Sequence, residues 1–333
     1  MINQAVKETV KCKEQSQLLN ILEALEATKR EVDRALSSSP PLIGRYLNHI
    51  RSAGGKFIRA NSLLVCSMDA NDHVHPNAVK LAAAVEILHL ATLVHDDVID
   101  DAELRRGITT LHRRFGRKTA VICGDYLLAL ALRIASSVED IENYLKFNIP
   151  DYISRICLGE LNQHLNNGNL DLSVYKYLKI ISGKTAALFE ASFLAGAILI
   201  SESKSVHRAY MRLGRYVGMI FQLTDDCIDY EDTEETAKKT VQSDFEQGVI
   251  TLPLIYAFAE KEDLKNKAAQ NTLSKSELAR SVIGAGGIKR TRAVAKKYYE
   301  KAVQVMSELD ITPEKRHYLS EILDKAYYGT KKK

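Results

Sequence analysis

Six aspartates in two groups carry the strongest chemical signal in this sequence. Asp96, Asp97 and Asp100 lie in HLATLVHDDVIDDAELRRG, residues 89–107, and Asp225, Asp226 and Asp229 lie in FQLTDDCIDYED, residues 221–232. Each group ends an apolar run. Residues four apart share a helix face, so Asp96 and Asp100 point one way, with Asp97 about 100° round. Carboxylates are disfavoured at the negative end of a helix dipole and costly to bury. If the two helices face each other, six carboxylates converge on one cavity, and only bound cations make that tolerable. Oxygen-only ligands suit a hard metal, Mg²⁺ or Ca²⁺. No calcium loop of the D-x-D-x-D-G type is present, which favours Mg²⁺. Mg²⁺ takes one or two carboxylates and completes its shell with water and phosphate oxygens. The spacing therefore predicts magnesium ions clamping a phosphorylated substrate between two helices.

Such a substrate also needs donors. Arg105 and Arg106 follow the first group, and the guanidinium fork suits bidentate phosphate contact. A local salt bridge from either to Asp101 or Glu103 is the alternative. Upstream, SAGGKFIRA, residues 52–60, joins a flexible Gly-Gly to Lys56 and Arg59; glycines let backbone N–H groups approach an anion. Lys184, in SGKTAALF, interrupts an apolar run and either snorkels to water or points into a polar cavity. Lys239 lies in a polar stretch and is otherwise a solvated loop lysine. His89 stands two helical turns before Asp96 on the same face, although a histidine in an apolar run is more often a satisfied core residue.

The elements that must position these groups read as helices. The six prolines leave residues 77–149 and 151–252 uninterrupted, and these tracts are rich in helix formers. Leu81, Val85, Leu88 and Thr92 form one stripe at helical spacing, and the neighbouring stripes are apolar too, which predicts a helix buried on most sides. Segments 119–138, 152–166, 186–200 and 209–224 are similar. SSSPP at 37–41 ends a first helix at about 15–36. NDHVHP at 71–76 and NNGNLD at 166–171 read as loops, and 231–244 as a mobile polar loop. SVIGAGGIKRTR at 281–292 lacks a preceding strand and reads as a helix–turn–helix connection. The expectation is an all-α, single-domain helical bundle over 1–333. With 46% hydrophobic residues, 26% charged residues and a net charge of +4, the chain lacks the concentrated basic character of a nucleic-acid binder. The five cysteines form no CxxC pair, so reduced thiols in a cytoplasmic setting are expected. No uncharged apolar run reaches 18 residues, so no membrane span is expected.

Taken together, these segments resemble the trans-isoprenyl diphosphate synthases over roughly residues 40–310. GGKFIRA resembles that family's Gly-Gly-Lys-x-x-Arg-Pro, with Ala60 in place of proline. HDDVIDDAELRRG and FQLTDDCIDYED resemble its two aspartate-rich motifs, SGKTAALF its Lys-Thr segment, and SDFEQGVITLPLIYA the segment after its mobile loop. The resemblance implies the isoprenoid synthase bundle with a deep central cavity, an N-terminal helix at about 1–36 and a mobile active-site loop at about 231–250. It implies a trans-prenyltransferase condensing isopentenyl diphosphate with an allylic diphosphate. Asp96, Asp97, Asp100, Asp225, Asp226 and Asp229 would bind Mg²⁺, three ions with substrate present. Lys56, Arg59, His89 and Arg106 would hold isopentenyl diphosphate, and Arg105, Lys184 and Lys239 the allylic diphosphate. Thr185 and Gln222 would stand near the developing cation. Lys238, Val249 and Phe57 depart from the common pattern; Val249 replaces a second lysine, as in catalytic subunits of bacterial medium-chain synthases. Small residues at Ala91 and Thr92 imply a product longer than farnesyl, with Tyr126, Leu127 and Leu130 as a deeper floor, so Ala91→Phe is expected to shorten the product. A homodimer is expected, or a heterodimer with a second subunit. The alternatives are a farnesyl or geranylgeranyl diphosphate synthase, the catalytic subunit of a heteromeric hexaprenyl or heptaprenyl synthase, a class I terpene cyclase, a structural helical protein with solvated acidic patches and, from a different class, a non-catalytic regulatory subunit.

Overall fold

The computed structural model describes residues 18–52, 54–139, 142, 151–231, 243–270 and 272–329. Lys239, Lys238 and most of the polar stretch after the second aspartate group lie outside these residues, as does Cys12. The helices are α1 (Ile21–Ser37), α2 (Pro41–Ser52), α3 (Ile58–Cys66), α4 (Pro76–Ile99), α5 (Leu111–Phe115), α6 (Arg117–Ser136), α7 (Tyr152–His164), α8 (Val174–Lys184), α9 (Ala186–Ile200) and α10 (Lys204–Glu231). They continue with α11 (Ser243–Glu246), α12 (Leu252–Glu260), α13 (Glu262–Ala269), α14 (Lys275–Gly284), α15 (Gly287–Glu308) and α16 (Pro313–Tyr328). The all-α expectation holds, with one addition. Leu104–Arg105 (β1) and Ile108–Thr109 (β2) pair antiparallel. The two residues between them, Arg106 (φ 54°) and Gly107 (φ 80°), are both left-handed, as a tight hairpin with two central residues of positive φ demands.

α9 is apolar on every side and buried almost throughout, which makes it a central helix. It packs with α3, α10, α15 and α16 in the main core, around Phe189, Phe193, Leu63, Tyr210 and Leu319. A second apolar cluster joins α8, α10, α12 and α14, and a third joins α4 to α6. A small fourth cluster links α7 to α9 and faces Val85 and Leu88 of α4. By length and composition α4 and α6 are apolar enough to cross a membrane; here their apolar surfaces pack against each other.

Local chemistry explains the boundaries that matter for the site. Pro76 occupies the first turn of α4, where a missing N–H costs nothing, and the His75 side chain accepts from the Asn77 backbone N–H. α4 closes where the Asp100 N–H donates to the Asp96 carbonyl at 2.8 Å. Between α8 and α9 the chain bends by 46° at Thr185. The connection of α14 to α15 through Gly286 (φ 72°) is the expected helix–turn–helix. In the C-terminal helix the buried Lys315 ammonium donates to the Cys66 and Met68 carbonyls, each at 2.8 Å, tying α16 to the end of α3.

Candidate active site

The first aspartate turn divides between two faces of α4. Asp96 and Asp100 lie towards α7 and α8, where the Lys184 ammonium sits 2.8 Å from Glu160. Burial pushes Asp96 up to about 7; Lys184 opposes the shift, while Glu160 and Asp100 add to it. Burial likewise raises Asp100 against the pull of Lys184. For Lys184 itself burial disfavours the charge, but Asp96, Glu160 and Asp100 outweigh it and hold its pKa above the usual lysine value. Lys184 therefore points into a polar cavity rather than snorkelling out. The close approach of its helix to α7 depends on glycine: a Cβ on Gly159 would stand 2.3 Å from the Lys184 backbone nitrogen and 2.6 Å from the Gly183 carbonyl carbon.

Asp97 takes a different partner. It turns to the hairpin, where Arg105 Nε donates to its Oδ1 at 2.8 Å. Burial still raises Asp97, although Arg105 opposes it. Standing about 100° round the helix from Asp96, Asp97 faces the hairpin side of α4. The local bridge from Arg105 exists, but to Asp97 rather than to Asp101 or Glu103. Asp101 instead binds Arg113 and Arg117, at 2.9 and 2.6 Å.

The second aspartate turn closes the cleft from α10. A cavity of ≈ 100 Å³ is lined by Asp100 from α4, Lys184 and Tyr177 from α8, Thr185 at the bend, and Gln222 and Asp226 from α10. The two turns thus meet across one cleft. A chain of hydrogen bonds runs along its wall. Thr185 Oγ1 donates to Gln222 Oε1 at 2.7 Å, Gln222 Nε2 donates to Asp226 Oδ1 at 2.7 Å, and the Tyr177 hydroxyl donates to Asp226 Oδ2. Burial pushes Asp226 up to about 8; Asp244 adds to this, and the Tyr177 and Gln222 bonds oppose it. Asp225 is exposed and Asp229 half-buried on the same helix end. Val249 lines the cavity. Glu160, Tyr177, Asp244 and Gln247 were not singled out from the sequence. Gly159 in mid-helix signals the first, and Tyr177 stands two turns before Lys184 on one face.

Among the described residues, no three His, Cys, Asp or Glu side chains meet closely enough to hold a metal by themselves. An ion that completes its shell with water and phosphate does not require three. The donor set around the cleft is oxygen throughout its acidic part, and its crowded, raised carboxylates are those a hard cation would relieve. The residues fit such an ion.

The basic side lies against the other edge of α4. Arg59 Nη1 is 3.1 Å from His89 Nε2. Its guanidinium carbon lies 4.6 Å from the Phe189 ring centre and 5.9 Å from that of Phe221. Burial lowers Arg59 to about 10 while Glu86 opposes, and burial with Arg59 and Arg106 holds His89 well below the usual histidine range, in its neutral form. Arg106 donates to the Gly54 carbonyl. Lys56 is exposed in the loop before α3, and Phe57 starts that helix in a left-handed conformation (φ 51°). Glu86 is buried within this basic group and was also missed. An acid inside the apolar run AAAVEILHLATLV was its signal.

The face of α4 beneath Asp96 carries Thr92, Leu88 and Val85, and the last two meet α7 and α9. Ala91 does not lie on it. It is buried in the cluster that also holds Cys123, Leu127 and Leu130 of α6; five residues place it about 140° from Asp96.

The family description polyprenyl synthetase matches residues 40–284. The chain is 34% identical over 290 residues to heptaprenyl diphosphate synthase component 2 of Bacillus subtilis (strain 168), covering 86% of this chain and 82% of that protein. Its fold matches the crystal structure of heptaprenyl diphosphate synthase from Staphylococcus aureus with a TM-score of 0.83 and 30% identity, over 93% of this chain and 98% of that one. It also matches a polyprenyl synthase from Caulobacter crescentus CB15, complexed with calcium and isoprenyl diphosphate, with a TM-score of 0.80 and 30% identity over 92% and 96%. The bundle agrees with these similarities: the chain belongs to the polyprenyl synthetase family and is a prenyltransferase.

Proposed function

We propose that the chain, acting as one isoprenoid synthase domain, adds isopentenyl diphosphate units to an allylic diphosphate and releases a product longer than fifteen carbons. The observation that carries this reading is the cleft itself. Two acidic helix ends meet there with Lys184, Thr185 and Gln222, beside a separate basic group of Arg59, Arg106 and neutral His89. Two anionic substrates can be held side by side with their reacting carbons close, which converts an encounter into an oriented reaction.

Asp96, Asp100 and Asp226, with Asp225 and Asp229 beside them, would hold Mg²⁺; Asp97 is committed to Arg105. When bound, the metal neutralises the allylic diphosphate and improves it as a leaving group. Lys184 is placed to take up further charge as the C1–O bond breaks and its electron pair leaves with pyrophosphate. The Thr185 hydroxyl and Gln222 amide present fixed dipoles to the allylic cation. The isopentenyl double bond attacks C1, forming the new carbon–carbon bond. A proton then leaves C2 of the isopentenyl unit for the departed pyrophosphate. The product keeps the isopentenyl diphosphate group. Its hydrocarbon runs down the apolar face of α4 through Thr92, Leu88 and Val85, and the heptaprenyl products in the names of two relatives support a long chain.

We further propose a dimer located in the cytoplasm. Val121, Ile122 and Leu132 of α6, Leu158 and Leu161 of α7 and Leu165 just after it are exposed, which supports a covering partner. The printed name of the Bacillus relative, a component, supports testing a second, different subunit beside a second copy. The free Cys66, Cys123, Cys157 and Cys227 support a reducing compartment.

The purified chain should convert isopentenyl diphosphate and a geranyl or farnesyl primer to longer lipid in the presence of Mg²⁺, and a chelator should stop it. Product sizing by chromatography reads the result. Absence of transfer with every primer would instead favour a chain that requires a second, different subunit, or a non-catalytic one.

A further inference from the structure

An anion site with a buried acid at its centre calls for an explanation. Glu86 is 4% exposed on α4, one turn before His89. It lies under the Gly-Gly loop, where a Cβ on Gly55 would stand 3.2 Å from its Oε1. It interacts electrostatically with both Arg59 and Arg106. Both arginines also have other contacts. Arg59 is held by two phenyl rings and the His89 imidazole, and Arg106 reaches the Gly54 carbonyl. Glu86 therefore reads as a charge placed against the diphosphate that those arginines attract.

The chemistry supplies a use. Each addition leaves the product's diphosphate on the basic side, because the isopentenyl unit keeps its own. Before the next addition that diphosphate must cross to the aspartate side. A site that grips too firmly would stop after one round. Resting on the prenyltransferase reading above, we propose that Glu86 is a specificity-determining residue that weakens the basic site's hold on diphosphate and so sets how many additions follow one another.

Glu86→Gln keeps the shape and removes the charge, while Glu86→Asp keeps the charge. With no primer present, isopentenyl diphosphate should bind Glu86→Gln on the order of tenfold more tightly than wild type, and Glu86→Asp should bind it less tightly than Glu86→Gln does. With a farnesyl primer, Glu86→Gln should accumulate the single-addition product where wild type proceeds further. Glu86→Met offers the same comparison if the amide variant does not fold, as judged by circular dichroism. Unchanged or weaker binding, or an unchanged distribution of product lengths, overturns the proposal. A wild type that transfers nothing defeats the functional reading itself; a wild type that elongates no differently from Glu86→Gln defeats only the role of Glu86.

Discussion

Lys184 shows how a single charged residue is made useful. Its partner Glu160 is at 2.8 Å, with little of either side chain exposed. Removing Glu160 takes away the ion pair that orients Lys184 and leaves Asp96 and Asp100 to attract it. Glu160→Ala is expected to raise the KM for the allylic diphosphate about tenfold and leave that for isopentenyl diphosphate unchanged, measured by steady-state kinetics with each substrate varied. An equal rise in both would mean general loosening instead. At this scale the sequence was legible where chemistry repeats in the chain. Two aspartate groups, the Gly-Gly-Lys segment and the Lys-Thr pair all stand at the site. It was not legible where a pair forms between distant residues. Nothing near Arg105 points to Asp97 in preference to Asp101, because the hairpin that turns it back spans only two residues per strand. Glu86 and Glu160 are single acids whose meaning comes from helices far away in the chain.

At the scale of helices, periodicity read in the sequence predicts most of what is observed. The stripe Leu81, Val85, Leu88 and Thr92 leads straight to Asp96 and Asp100, and the structure sets its Val85 and Leu88 against α7 and α9. What periodicity leaves open is which neighbour each stripe meets. Ala91 packs towards α6, in the cluster that holds Leu127 and Leu130, the residues expected to floor the product's path. Thr92→Phe and Ala91→Phe are both expected to shorten the product, as sized by chromatography. Ala91→Phe should also overfill a packed interior and cost about 1–3 kcal/mol of stability, read as a lower unfolding midpoint. The bend at Thr185 and the glycine crossing of α7 over α8 were likewise hidden. Both depend on backbone meeting backbone, which hydrophobic spacing does not report.

For the molecule as a whole, Lys315 couples its last helix to its core. Burial lowers this lysine to about 8 from its ordinary 10.5, with Asp72 and Asp69 opposing. The unfolded chain then binds more protons between these values, so this group's contribution makes stability rise with pH from about 8 to 10.5. Lys315→Met should lack that rise, and the difference between the two denaturation midpoints followed over this range tests it. Nothing in the sequence marks Lys315 as buried, since PEKRHYLSE reads as a solvated helix start. Arg59 offers a different lesson about the assembled protein. Resting on two benzene faces and an uncharged imidazole, it keeps its pose by contacts that dissolved ions screen poorly. Brine should thus discourage the arriving ligand while leaving its receptor in shape, so that the enzyme in concentrated electrolyte is starved rather than deformed.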